Sequence, residues 1–143
     1  MTEKDLREAT ERNVEAWERM YDFNRNCEEV AKINCCRVVY PEPNQLQLDI
    51  DSEKSYDDFE KRMRSVHRWI EWDMAFDIRP SKSGLPHRHI TVTVKNRVFT
   101  DSERIAFQLM FGSDPVRESV NAMRCAVGVE NPCCLFVPLK EGE

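Results

Sequence analysis

The chain has 143 residues, about the length of one domain and enough to bury a substantial core, with 41% hydrophobic and 33% charged residues and a formal net charge of −5. No run approaches the ~18 consecutive apolar residues of a membrane-spanning helix. The charged start Met1-Thr2-Glu3-Lys4-Asp5 lacks the apolar stretch of a secretory signal, so a cytoplasmic protein with no membrane partner is expected.

The charge is unevenly spread. Residues 1–60 carry 8 basic and 16 acidic side chains, residues 61–104 carry 10 and 5, and residues 105–143 carry 3 and 5. The middle segment is therefore the part suited to a polyanion. The six cysteines, Cys27, Cys35, Cys36, Cys125, Cys133 and Cys134, form no C-x-x-C pair. Adjacent cysteines are poor co-ligands for one zinc, and without a secretion signal the expectation is reduced thiols, most of them small buried residues.

From about Lys4 to Lys32 there is no proline or glycine, and Leu6, Val14, Trp17 and Tyr21 share a stripe at helical spacing. This predicts an amphipathic helix, with a break placed near Asn24-Arg25-Asn26. Cys36 to Tyr40 reads as a strand, and Pro41-Glu42-Pro43-Asn44 as a turn. The run Leu46-Gln47-Leu48-Asp49-Ile50-Asp51 alternates, which puts Gln47, Asp49 and Asp51 on one face and the three aliphatic residues on the other. Ser55-Tyr56-Asp57-Asp58 has the form of a capping box. Tyr56, Phe59, Met63, Val66 and Ile70 then recur every three or four residues, predicting a helix from about Tyr56 to Trp72 with Lys61, Arg62, Arg64 and Arg68 outside. His67, on that charged face, reads as a surface residue.

Asp73 to Pro80 and Arg88 to Val94 read as a hairpin, and the alternation of the second strand puts His87 and His89 on one face. Thr100 with Glu103 is a further capping box, opening a helix through Ile105, Leu109 and Met110 that stops at Gly112. Asp114-Pro115 starts another through Val116, Val120 and Met123. Cys133 to Pro138 is a last strand, and the end of the chain a frayed tail. The expected organisation is one domain: a helical extension over 1–35, a core over 36–138 and a tail over 139–143. The core order is βαββαβ, an α+β RNA-recognition or ferredoxin-like sheet with an added N-terminal helix. In that topology the first and third strands are central neighbours, which brings Asp49 and Asp51 beside His87 and His89.

Two carboxylates one residue apart on a strand suit Mg²⁺ or Mn²⁺ with room left for substrate phosphates. The turn Ser81-Lys82-Ser83-Gly84 offers hydroxyls, an ammonium and free backbone to a phosphate, and Arg79 and Arg88 would strengthen such an anion site. Each element also has a plain structural explanation, as a solvated strand end, an ordinary hairpin turn and solvent-facing strand arginines.

Leu48-Asp49-Ile50-Asp51, the turn Ser81 to Gly84 leading to His89, and Phe111-Gly112-Ser113-Asp114-Pro115-Val116-Arg117-Glu118 together resemble small archaeal and phage members of the archaeo-eukaryotic primase superfamily, over about residues 46–137. That superfamily has a hydrophobic-Asp-hydrophobic-Asp motif, a Ser-x-His-type motif and a later Asp on an RNA-recognition-like sheet. The resemblance implies DNA replication chemistry: template-directed nucleotidyl transfer, with nucleic acid and nucleotide triphosphates as partners and a replication protein alongside them. Asp49, Asp51 and His89 would be catalytic. Ser81, Lys82, Ser83, His87 and Arg88 would bind nucleotide, and Asp49, Asp51 and Asp114 would bind Mg²⁺ or Mn²⁺. Here the segment from Ser83 to His89 offers two histidines, strand position favouring His89, and Asp114 also fits a helix cap.

Leu85-Pro86-His87-Arg88-His89-Ile90 also resembles the His-hydrophobic-His strand of rolling-circle replication nucleases, although its middle residue is Arg and no tyrosine follows Tyr56 to act as their nucleophile. The chain is short for a polymerising member of the primase superfamily, so that resemblance also covers a degenerate relative that only binds nucleic acid; a third alternative is a non-enzymatic binding or inhibitor protein. The sheet lacks the aromatic face that RNA-recognition modules stack bases on.

Overall fold

The computed structural model describes residues 1–21 and 23–140, with side chains described for 1–12 and 27–140. Two helices, α1 (Glu3–Tyr21) and α2 (Phe23–Ile33), lead into β1 (Cys36–Val39), β2 (Gln45–Ile50), α3 (Glu53–Trp69), β3 (Met74–Pro80), β4 (Arg88–Val94), α4 (Asp101–Met110), α5 (Pro115–Ala126) and β5 (Leu135–Pro138). The class is α+β, as expected. Among the described residues no helix is long and apolar enough to cross a membrane. Of the N-terminal stripe, Leu6 is exposed; the side chains of Val14, Trp17 and Tyr21, and the tail from residue 141, lie outside the described residues.

The capping expectations hold for two of three helices. Thr100 and Glu103 form a reciprocal capping box on α4, and Asp114 caps α5 with Pro115 at its first position. Helix α3 starts one residue past Ser52, not at Tyr56, because the Ser52 hydroxyl accepts from the Ser55 N–H at 3.1 Å as the chain leaves β2. It also ends earlier than expected, which frees Trp72 to turn back into the core against Phe99, Phe107 and Phe111.

Strands β2 and β3 both pair antiparallel with β4, giving the order β2-β4-β3. Strands β2 and β3, joined through α3, thus run parallel with β4 between them. The alternation of β2 and β4 buries Leu46, Leu48, Ile50, Ile90, Val92 and Val94 completely, and these pack with Phe59 and Met63 of α3. Full burial of each such side chain contributes ~1.5–3 kcal/mol, so this face is the chief source of stability.

The expected fourth strand does not extend this sheet. Strand β5 pairs antiparallel with β1 in a separate two-stranded ladder, and β2 forms an edge of the three-stranded sheet instead of a centre. The edge is occupied by side chains. Arg104 Nε donates to Gln45 O at 2.8 Å, the Gln47 N–H to Gln108 Oε1 at 2.8 Å, and the Asp49 N–H to Ser113 Oγ at 3.0 Å. Arg117 Nη1 donates to Gln47 O at 2.9 Å, and the Asp114 N–H to Asp49 O at 2.8 Å. The chain from α4 into α5 thereby satisfies the backbone groups a neighbouring strand would have taken.

This arrangement orients α4 and α5 by their polar residues. Gln108, Ser113, Glu118 and Asn121 are buried, whereas Leu109, Met110, Val116 and Met123, on the expected apolar stripes, are exposed. Glu118 gathers the cluster, accepting from Gln108 Nε2 at 2.9 Å, Ser113 Oγ at 2.9 Å, Asn121 Nδ2 at 3.3 Å and Arg117 Nη1. Gly112 makes the close approach possible: its φ is +96°, and a Cβ there would meet Ser55 O at 3.2 Å.

Candidate functional site

The pairing of β2 with β4 sets Asp49 opposite His89, and the open face of the sheet carries Asp49, Asp51, His87 and His89 together. Asp49 Oδ1 lies 3.8 Å from His89 Nε2, and Asp51 Oδ1 lies 3.3 Å from His87 Nδ1. The inner pair is more enclosed, with 28% of the Asp49 side chain and 17% of the His89 side chain exposed, against 49% for Asp51 and 41% for His87. The inner pair therefore feels desolvation most.

The turn between β3 and β4 closes over the same face. The Ser81 N–H donates to His87 O at 3.0 Å, the Gly84 N–H to Ser81 O at 2.9 Å and the His87 N–H to Gly84 O at 3.0 Å. Gly84 takes a φ of +76°, the left-handed conformation that this fold-back uses. Ser81, Lys82, Ser83, His87, His89, Asp49 and Asp51 consequently line one cleft of about 620 Å³. The cleft is also lined from α2, β1 and the approach to β5 by Cys27, Asn34, Cys36 and Cys134, and from α5 by Arg117 and Asn121. Lys82 Nζ donates to Asn34 O, so its ammonium is engaged with the chain just beyond α2.

Two of the expected site residues stand apart. Arg88 points to the helix side of the sheet, where its guanidinium lies 4.1 Å from the Tyr56 ring centroid and 3.0 Å from Glu53 Oε1. Strand alternation forces that separation from His87 and His89, so Arg88 is not a cleft residue. Asp114 spends a carboxylate oxygen on the Val116 N–H at 3.0 Å as the cap of α5, and it does not line the cleft. Its charge still bears on Asp49. Arg79 pairs with Asp77 at 3.0 Å and lines a neighbouring cleft of about 300 Å³ that shares His89.

Arg117 is among the cleft residues that the motifs did not single out. It donates to Gln47 O and to Cys134 O, each at 2.9 Å, and pairs with buried Glu118, so β2, α5 and the entry to β5 converge on one guanidinium. The residue stands within the Asp114-Pro115-Val116-Arg117 run, and its position one turn into a helix beside a capping Asp was the available signal.

The electrostatics follow from this geometry. Burial, and then the charge of Asp51, push the Asp49 carboxyl above the ordinary carboxylate range, Arg117 opposing them. Burial and then Arg117 hold the His89 imidazole below its ordinary value, so His89 is a neutral group at neutral pH. Among the described residues no three His, Cys, Asp or Glu side chains come together as a cation cage. Two carboxylates on an open sheet face are donors of the kind that a hard divalent cation takes, the rest of its shell being water and substrate oxygens. Such a cation would relieve the repulsion from Asp51, which adds to burial in raising Asp49. No protein-family model, no curated protein and no solved structure matches the chain.

Proposed function

We propose that this protein is a divalent-metal-dependent nucleotidyltransferase of the primase-polymerase kind, acting on nucleic acid and nucleotide triphosphates. The observation that carries the reading is the register of β2 on β4, which sets the Asp-x-Asp carboxylates against the two histidines under the Ser81–Ser83 turn. The order β2-β4-β3, with α3 linking the outer strands, is further support, since it matches three strands of an RNA-recognition-like sheet.

In this reading Asp49 and Asp51 would hold Mg²⁺ or Mn²⁺, which would supply charge stabilisation to a bound triphosphate; the reaction is in-line attack of a primer 3′-hydroxyl on the α-phosphorus, with its proton passing to solvent and pyrophosphate leaving. The chain's own residues position the nucleotide. Ser81, Ser83 and the turn's backbone N–H groups receive phosphate oxygens, and Lys82 exchanges Asn34 O for a phosphate. Neutral His89 donates or accepts a hydrogen bond at the inner end without adding charge, and Arg117, paired with Glu118, sets a guanidinium beside Asp49 and His89. The half-enclosed position of Asp49 and His89 limits water at the reacting centre.

The test is extension of a labelled primer on a single-stranded template with Mn²⁺ or Mg²⁺ and all nucleotide triphosphates. Template-dependent extension lost in Asp49→Ala/Asp51→Ala, with folding retained, supports the reading. A folded wild type that extends nothing under either metal refutes it for the isolated chain. Metal-dependent nicking of single-stranded DNA would instead favour the rolling-circle alternative.

A further inference from the structure

All six cysteines are free thiols, but they are not equivalent. Cys27 on α2 and Cys134 at the entry to β5 are separated by 107 positions in the chain, yet their Sγ atoms lie 4.0 Å apart. Both line the cleft. Cys27 is 4% exposed and Cys134 half-buried. Cys36 and Cys133, the sequence neighbours of the exposed Cys35 and of Cys134, are buried. Cys133 turns toward Gln108 Nε2, away from this pair.

The surroundings of Cys134 favour a thiolate. Contact with the Cys27 thiol, and then the positive charges of Arg117 and Arg124 acting against burial, bring the Cys134 thiol down to about 7, whereas the same contact and burial push Cys27 well up. The 4.0 Å contact lets the pair share one proton, with Arg117 and Arg124 favouring the negative charge on Cys134.

We propose that Cys27 and Cys134 are an oxidant-sensitive pair that closes to a disulfide on contact with a hydroperoxide, tying α2 to the entry of β5 across the cleft wall. The Cys134 thiolate attacks the peroxide, the O–O bond breaks and hydroxide leaves, taking up a proton to become water. Cys27 sulfur then attacks the resulting sulfenic acid, its own proton leaves with the displaced oxygen as a second water, and the S–S bond forms. Two thiols are oxidised by two electrons and one hydrogen peroxide is reduced to two waters. The Sγ atoms must approach by about 2 Å from their present separation to reach disulfide length. This inference stands on the thiol geometry and is independent of the nucleotide reading.

The test is hydrogen peroxide treatment of the full chain at neutral pH, alkylation of the remaining thiols, and peptide mapping by mass spectrometry without reductant. The expected product is a cross-linked peptide pair joining Cys27 and Cys134, two hydrogens lighter than the separate peptides and released by dithiothreitol. In Cys27→Ser, Cys134 should stop at sulfenic or sulfinic acid. In Cys134→Ser, Cys27 should remain alkylatable after unfolding. A wild type in which Cys134 over-oxidises while Cys27 stays free, or in which the dominant linkage uses Cys35, Cys36, Cys125 or Cys133, overturns the proposal. The decisive arm uses the wild-type protein, so a variant that folds poorly does not obscure it.

Discussion

Replacing Glu118 by Ala tests the most unusual packing device in this protein, the use of side chains to close a strand edge. The Glu118 side chain is completely buried and accepts from Gln108, Ser113, Asn121 and Arg117. Three of those residues also bond to the backbone of β2: Gln108 to the Gln47 N–H, Ser113 to the Asp49 N–H and Arg117 to Gln47 O. Removing one partner of a buried ion pair costs ~3–5 kcal/mol, because the other charge is stranded. Each neutral donor left without an acceptor adds ~1–3 kcal/mol, reduced where it finds another partner. Arg117 retains Gln47 O and Cys134 O, so we expect a net loss of ~3–5 kcal/mol, a large share of the ~5–15 kcal/mol typical of a domain. Equilibrium urea unfolding measures this as a lower midpoint at unchanged slope. Glu118→Gln keeps the volume and one acceptor oxygen but sets an N–H₂ among donors, and should lose ~1.5–3 kcal/mol. An Ala variant within ~1 kcal/mol of wild type would refute the edge-closing role, because that is the cost of an ordinary hydrogen bond.

Asp49→Asn should raise the metal-free thermal midpoint at neutral pH. The folded carboxyl sits above 3.8, so its stabilising contribution is complete below that value and is lost as pH rises through the raised folded value; the amide removes that loss. An equal or lower midpoint at neutral pH would contradict this. His89, held below 6.5 in the folded protein, has the opposite dependence, since stability falls as pH drops below 6.5 toward the lowered folded value. His89→Gln should flatten the stability profile across that acid window, and an unchanged slope in matched melts would count against the assignment. Arg88→Ala should cost ~1 kcal/mol through the lost Tyr56 stacking and Glu53 pair, while leaving metal and nucleotide binding unaltered in titration. A selective loss of nucleotide binding with stability intact would return Arg88 to the site.

The site was legible in the sequence to the extent that it depends on strand alternation. The period of two in Leu46 to Asp51 and in Arg88 to Val94 separates the buried aliphatic residues from Asp49, Asp51, His87 and His89, and the observed register confirms that the inner two are opposite each other. The same period already sets Arg88 with Ile90 on the helix side, where it is found. The closing of the β2 edge was not legible, because Gln108, Ser113, Glu118 and Asn121 are residue types that read as solvated. Their burial follows from unpaired strand backbone groups, which no periodicity in α4 or α5 reports. The β1–β5 ladder was equally hidden. Cys36 to Val39 and Leu135 to Pro138 are each four residues long, and nothing local in either run specifies a partner about a hundred positions away. Arg117 joined the site through that long-range contact, by way of Cys134 O.

The proposed function requires that Asp49 and Asp51 bind a divalent cation together with a nucleotide triphosphate. Calorimetric titration of Mn²⁺ with a non-hydrolysable nucleotide triphosphate, on the wild type and on Asp49→Ala/Asp51→Ala, tests it most directly. Each ligand is expected to tighten the other's binding in the wild type, as linkage requires, and this coupling should vanish in a variant that remains folded. Absence of binding by a well-folded wild type, or coupled binding that survives loss of both carboxylates, would contradict it.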